Sequence, residues 1–301
     1  MSLLADKIDK GLPPLKVAVV HPTEPNSLKG AIKAAELGII EPIFIGPEQE
    51  ITRVAQDNEI DIGGRALINV DDDKNAAIRA VSLVHEGQAE AIMKGLISTG
   101  SFLKPIVSGE QHLRVSGKRV SHVFRMSDSD YHKPLYISDA AVNNFQDVKI
   151  KMAITQNAID AFRAVEGHEP KVALLSATEK PVEGIPSSME AAEIKELAQQ
   201  GMITGGIVDG PFAIDNAVSA ESARLKGISS AVAGDADILI VPSLEAGNIL
   251  YKALCFLDDA KRGGIVVGAK VPVILTSRAA DIDTRVDSSA MALLHARNSA
   301  S

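Results

Sequence analysis

KVAVVHPTEPNSLKGAIKAAELGIIEPIFIG, residues 16–46, decides the fold class. Its first part, Lys16 to Pro22, is β-branched and ends at a proline, which reads as a strand. Ser27 to Leu37 follows with Leu28, Ile32, Ala35 and Leu37 near helical spacing. Glu41 to Gly46 is again a short apolar run. Strand, helix and strand in this order imply a parallel sheet with right-handed crossovers.

The rhythm continues in both directions. Asn75 to Glu86 predicts a helix, and Ala89 to Gly95 a strand entering a glycine-rich turn. Leu135 to Val142, Lys171 to Ala177, Gly205 to Pro211, Ala236 to Ser243 and Val271 to Arg278 predict strands. Asp147 to Glu166, Met189 to Gln200 and Val286 to Arg297 predict helices. Composition changes over Val107 to Asp130, which is polar, basic and rich in Ser and Gly. It reads as a crossover between two α/β lobes, with His112, His122 and His132 solvated. His85 reads as a half-exposed core residue.

Of the 301 residues, 46% are hydrophobic but only 3% aromatic, with no Trp. Apolar volume therefore comes from Ala, Val, Ile and Leu, as in helix-covered parallel sheets. The formal net charge of −8 excludes a uniformly basic surface for nucleic acid. An anionic ligand would need a local pocket where Arg, Lys and helix N-termini converge. The single Cys255 excludes an intramolecular disulfide and a cysteine-based zinc site, and reads as a buried small hydrophobe. No stretch reaches the roughly 18 apolar residues of a membrane span. The N-terminal residues lack the order of a signal peptide, so the expected location is the cytoplasm.

In open α/β sheets ligands sit at the carboxyl ends of strands. Four such ends are rich in polar groups. TSRAADID (276–283) places Ser277 and Arg278 just after an apolar run; hydroxyls and N–H groups at such a turn hold phosphate oxygens, and an Arg clamps an oxyanion. On the residues alone, a helix N-cap with a surface Arg is the better reading. MKGLISTGSFLKP (93–105) offers Ser98, Thr99, Ser101 and Lys104 between two glycines, but neither a P-loop nor a dinucleotide fingerprint. Taken alone it is a turn with a cap. PSLEAGNILYK (242–252) gathers Glu245, Asn248, Tyr251 and Lys252, with Asn248 and Lys252 one helical turn apart. SDAAVN (138–143) is the fourth. The seven histidines show no metal-ligand spacing, and no Gly-x-Ser-x-Gly elbow exists.

Together, MKGLISTGSFLKP, SDAAVN, VALLSATEK, VDGPFAIDNAV, SSAVAGDADILIVPSLEAGNILYK and TSRAAD resemble the phosphate acetyl/butyryl transferase family, from about Leu15 to Arg297. LEAGNILYK followed later by Ser-Arg is a specific combination. The DGPFAIDNA stretch looks closer to phosphate butyryltransferases and to the transferase part of fused enoyl-CoA hydratase proteins. The resemblance implies two doubly wound α/β lobes with a cleft between them, in the isocitrate/isopropylmalate dehydrogenase-like fold. The lobes would be residues 1–116 with 273–301, and residues 117–272. It implies a homodimer and the reaction acyl-CoA + phosphate = acyl phosphate + CoA. Coenzyme A is then a substrate, and neither cofactor nor metal takes part.

The resemblance also assigns residues. Ser277 and Arg278 match the active-site Ser-Arg pair. Lys104 falls where relatives carry an Arg before Pro that helps bind coenzyme A, and Ser98 and Thr99 share its loop. Asn248 lies in the Ala-Gly-Asn turn, with Tyr251 beside it as a further substrate contact. Relatives often place an Asp seven residues after the Ser; here that slot is Thr284. Asp283 is adjacent and Asp281 near, and Asp283 is the expected base.

Three alternatives remain open on sequence. A fatty acyl–phosphate transferase would use an acyl carrier partner, against which the acidic net charge argues. A metal- and NAD-dependent decarboxylating dehydrogenase would need a carboxylate trio that these motifs do not supply. A non-catalytic binder of coenzyme A or acyl phosphate is favoured only by Thr284.

Overall fold

The structure, a computed structural model, describes residues 4–9, 11–108, 112–127, 130–258, 260–278 and 280–299. The opening stretch folds as β1 (Leu15–Val20), α1 (Pro25–Glu36) and β2 (Ile40–Gly46). α1 starts where Glu24, in extended backbone, accepts from the N–H groups of Asn26 and Ser27, with Pro25 at the first helical position. Next come α2 (Glu48–Asp57), β3 (Ala66–Asn69), α3 (Asp73–His85), β4 (Ala91–Lys94) and α4 (Thr99–Val107). The motif read as a turn with a cap is thus the start of a helix.

The chain continues through β5 (Ser121–Ser127), β6 (Leu135–Ser138), α5 (Val148–Glu166), β7 (Lys171–Leu175), α6 (Pro186–Gln199) and β8 (Ile207–Phe212). Then follow α7 (Ile214–Val218), α8 (Ala220–Leu225), β9 (Ile238–Ile240), α9 (Leu244–Leu257), β10 (Lys261–Val267), β11 (Val273–Ile274) and α10 (Ile282–Asn298). The class is mixed α/β. The chain divides into two units, one spanning Ser2–Val120 with Arg262–Ser301 and the other Ser121–Lys261.

In the first unit the strand order is β3-β2-β1-β4-β11-β10. β3, β2, β1, β4 and β11 are mutually parallel, and β10 is antiparallel to β11. The chain builds outward from β1 through β2 to β3, then returns to β4 on the other side. The carboxyl ends of β1 and β4 therefore flank a reversal in strand order, where open α/β sheets hold ligands. In the second unit the order is β5-β6-β9-β7-β8, with β5 antiparallel to β6 and the rest parallel. The wholly parallel expectation is corrected at these two pairs. Links 128–134 and 268–272 are too short for the crossover a parallel partner requires.

A second correction concerns His122 in the stretch Val107 to Asp130, of which 109–111 and 128–129 lie outside the described residues and within which the chain passes from one unit to the other. Rather than being solvated throughout, the stretch contains β5, buried along its whole length. His122 is fully buried and packs on Phe124, ring centroids 4.0 Å apart. His112 and His132 are exposed as expected, whereas His85 is exposed at the end of α3 rather than half in the core. Cys255 is buried.

Candidate active site

In the first unit, the ends of β1, β4 and β11 assemble one polar region. β1 runs into His21 at φ 52°, whose Nδ1 lies 3.1 Å from both the Thr23 hydroxyl and the Leu96 carbonyl oxygen. Gly95 follows β4. A Cβ there would sit 2.5 Å from the Val20 carbonyl oxygen and 2.6 Å from that of His21. The glycine thus lets the two strand ends close up, and its N–H donates to Val20 at 2.9 Å. Ser98 then caps α4, its Oγ accepting from the Ser101 N–H at 3.1 Å. Ser98, Thr99 and Lys104 are all exposed.

β11 ends at Ile274. Thr276 is buried, while Ser277 and Arg278 emerge exposed. Arg278 forms no ion pair among the described residues. Asp281 caps α10, accepting from the Thr284 N–H at 2.7 Å, and lies 3.8 Å from Arg262. Asp283 is exposed in the first turn of α10, and Thr284 is 5% exposed.

Sequence reasoning missed the groups beneath this surface. Arg285, 1% exposed, reaches back from α10 to the strand ends. It donates to the Lys94 carbonyl at 3.3 Å, to Thr276 Oγ1 at 3.1 Å and to Glu24 at 3.2 Å. Its Nε is buried with no acceptor among the described residues. α1 accommodates its stem through Gly30, where a Cβ would lie 2.7 Å from two carbons of Arg285. Lys94, 3% exposed, donates among the described residues only to the adjacent Gly95 carbonyl, at 3.3 Å. Burial, then the charges of Arg285 and Arg278, push the Lys94 ammonium down to about 8; Glu24 acts in the opposite direction. Burial also lowers the Arg285 value. The signal for Lys94 was a lysine closing the fully buried strand AIMK.

The second unit holds the remaining expected residues. Asn248, in α9, donates its side-chain amide to the Ala140 carbonyl at 3.2 Å. Gly247 permits that approach, since a Cβ there would meet Val241 Cγ2 at 2.7 Å and Ala140 Cβ at 3.0 Å. Ala140 belongs to the SDAAVN loop, which contains a cis Ser138–Asp139 peptide. Asp139, fully buried, organises that loop by accepting from the N–H groups of Ala141, Val142 and Asn143 at 3.0, 3.1 and 3.0 Å. Tyr251 stacks on Phe124, centroids 3.7 Å apart and planes 16° apart.

A family model described as "Phosphate acetyl/butaryl transferase" matches residues 72–293. A phosphate acetyltransferase of Rhizobium meliloti is 46% identical over 94% of this chain and 89% of its own length. A phosphate butyryltransferase of Clostridium acetobutylicum is 38% identical over 94% of each. The solved structure of a branched-chain phosphotransacylase from Enterococcus faecalis V583 matches with a TM-score of 0.81 at 32% identity, covering 94% of this chain and 99% of that one. With a family model matching most of its length and relatives this similar, the chain belongs to the phosphate acetyl/butyryl transferase family.

Proposed function

We propose that this chain moves a short acyl group, acetyl to butyryl, between coenzyme A and inorganic phosphate: acyl-CoA + phosphate = acyl phosphate + CoA. The observation that carries the reading is the exposed Ser277–Arg278 pair after β11, in a member of this family. In phosphorolysis, a phosphate oxygen bonds to the thioester carbonyl carbon, the C–S bond breaks, and CoA thiolate leaves. Arg278 holds the phosphate, and Ser277 donates to the developing oxyanion. In the reverse direction a free thiol, pKa about 8.5, needs help with deprotonation near neutral pH. Asp283 takes that proton. Ser98, Thr99 and Lys104 bind coenzyme A, with Asn248 and Tyr251 as further substrate contacts.

The finer architecture belongs to the same reading: isocitrate/isopropylmalate dehydrogenase-like lobes, 1–116 with 273–301 and 117–272. So does the homodimer, supported by α9, which leaves Ile249, Phe256 and Leu257 exposed by 69, 73 and 86%. Among the described residues no helix is long and apolar enough to cross a membrane. The test is phosphate-dependent release of free CoA from acetyl-, propionyl- and butyryl-CoA, followed with a thiol reagent, with and without chelator. Release that persists in chelator is expected. No release from any acyl-CoA rejects the reaction, and release restored only by a divalent ion rejects the metal-free mechanism.

A further inference from the structure

Lys94 stands apart from every other buried charge at the strand ends. Burying an ammonium is costly unless a partner charge and hydrogen bonds replace its water. Lys94 closes β4 with its side chain almost wholly covered, yet forms no ion pair among the described residues and keeps one long bond to Gly95. The nearby carboxylate, Glu24, is engaged three ways: by the N–H groups of Asn26 and Ser27 and by Arg285. Among the described residues Arg278 is likewise without an ion pair, and Arg285 Nε is buried without an acceptor. Three donor groups from β4, the turn after β11 and α10 thus share an excess of positive charge where β1 and β4 flank the reversal in strand order. An oxyanion bound beside Lys94 would supply the countercharge that this region lacks.

We propose that Lys94 is a substrate-binding residue that holds the transferred phosphate, as inorganic phosphate or as the phosphoryl group of the acyl phosphate. This rests on the acyl-transfer reading and adds a residue to it. The phosphates of coenzyme A present the same chemistry, so the test must separate the two sources.

The charged groups that act on Lys94 are Arg285 from α10, Arg278 after β11 and Glu24 at the start of α1. The variants are Lys94→Met, of similar length but neutral, and Lys94→Arg, charged throughout. In phosphorolysis at pH 7, Lys94→Met should raise the KM for phosphate about tenfold or more, as expected for a lost charge-assisted bond, and leave that for acyl-CoA within about twofold. In the wild type the phosphate KM should rise more steeply above about pH 8 than in Lys94→Arg, because only the lysine loses its charge there. Calorimetric titration with inorganic phosphate alone should show binding that Lys94→Met weakens similarly. An unchanged phosphate KM, or a rise confined to acyl-CoA, overturns the proposal while the acyl-transfer reading stands. Phosphate binding lost in Lys94→Met by a protein that turns over no acyl-CoA would support the site and reject the reaction. Should Lys94→Met fail to fold, the wild-type and Lys94→Arg pH profiles decide, and parallel profiles overturn the proposal.

Discussion

The Asp281 carboxylate accepts the Thr284 backbone N–H at 2.7 Å, so the acid nearest the Ser-Arg pair is the N-cap of α10. That cap fixes how α10 leaves the strand end and therefore where Arg285 reenters the region. Asp281→Ala should lower stability by about 1 kcal/mol, the usual cost of a lost cap, and Asp281→Asn by much less. Thermal unfolding of the two variants checks this. Equal losses would mean that charge, not capping, is what Asp281 contributes.

Asp283 carries the proton-transfer role in the proposed mechanism. It sits exposed in the first turn of α10, one residue from the buried Thr284. Asp283→Asn keeps the shape but cannot accept a proton. It should slow attack of CoA on acyl phosphate most below pH 7 and least near pH 9, where solvent supplies thiolate. A pH–rate profile parallel to that of the wild type would remove Asp283 from the base role.

Arg278 is exposed next to Ser277 and forms no ion pair among the described residues. Arg278→Ala should weaken transition-state stabilisation by about 2–4 kcal/mol, the range for one oxyanion donor. Arg278→Lys should recover part of this, lacking the two-pronged geometry. Near-wild-type kcat/KM in the alanine variant would move the phosphate contact elsewhere.

The opening strand-helix-strand was legible because each segment obeys its own period; the predicted Lys16–Pro22 strand is β1, Leu15–Val20. β5 was not legible, because SHVFRMS carries charge and hydroxyls that look solvated. The fold neutralises them through partners remote in sequence. Arg125 Nε donates to Glu166 at 2.8 Å, and the same carboxylate accepts from Tyr136 at 2.8 Å. β11 was overread, since Val271–Arg278 contains only two residues of strand and the rest forms the loop that exposes Ser277. The Ser-Arg pair could be found from its place after an apolar run. Lys94 carried only the signal of a lysine closing an apolar run, and Arg285 carried none, because the two meet only once the strand ends and α10 come together.

Gly247 has a structural reason to be glycine. Gly247→Ala would put a methyl group 2.7 Å from Val241 Cγ2 and 3.0 Å from Ala140 Cβ, forcing α9 away from the SDAAVN loop. Overpacking of this kind costs about 1–3 kcal/mol. The Asn248 bond to Ala140 would lengthen with it. A fall of several degrees in the unfolding midpoint is expected, and an unchanged midpoint would show that α9 can shift freely.

Lys94 should make stability depend on pH with an unusual sign. Its folded value of about 8 lies below the ordinary 10.5. Below pH 8 both folded and unfolded chains carry the proton, and the folded chain bears the full penalty of the buried ammonium. Between about pH 8 and 10.5 the folded chain releases that proton first, so the unfolded chain binds more protons and stability rises with pH. A shift of this size corresponds to at most roughly 3–4 kcal/mol. Lys94→Met removes the penalty and should be the more stable protein at pH 7, with the difference shrinking as pH approaches 10. Inorganic phosphate should narrow the same difference at pH 7, because an anion that binds the folded wild type stabilises it by mass action and has less hold on the variant. Denaturant unfolding at pH 7 and pH 10, each with and without phosphate, measures all four quantities. A variant less stable than the wild type at pH 7 would mean that the lysine stem packs better than methionine, and a gap that does not change with pH would mean that Lys94 holds its proton in the fold.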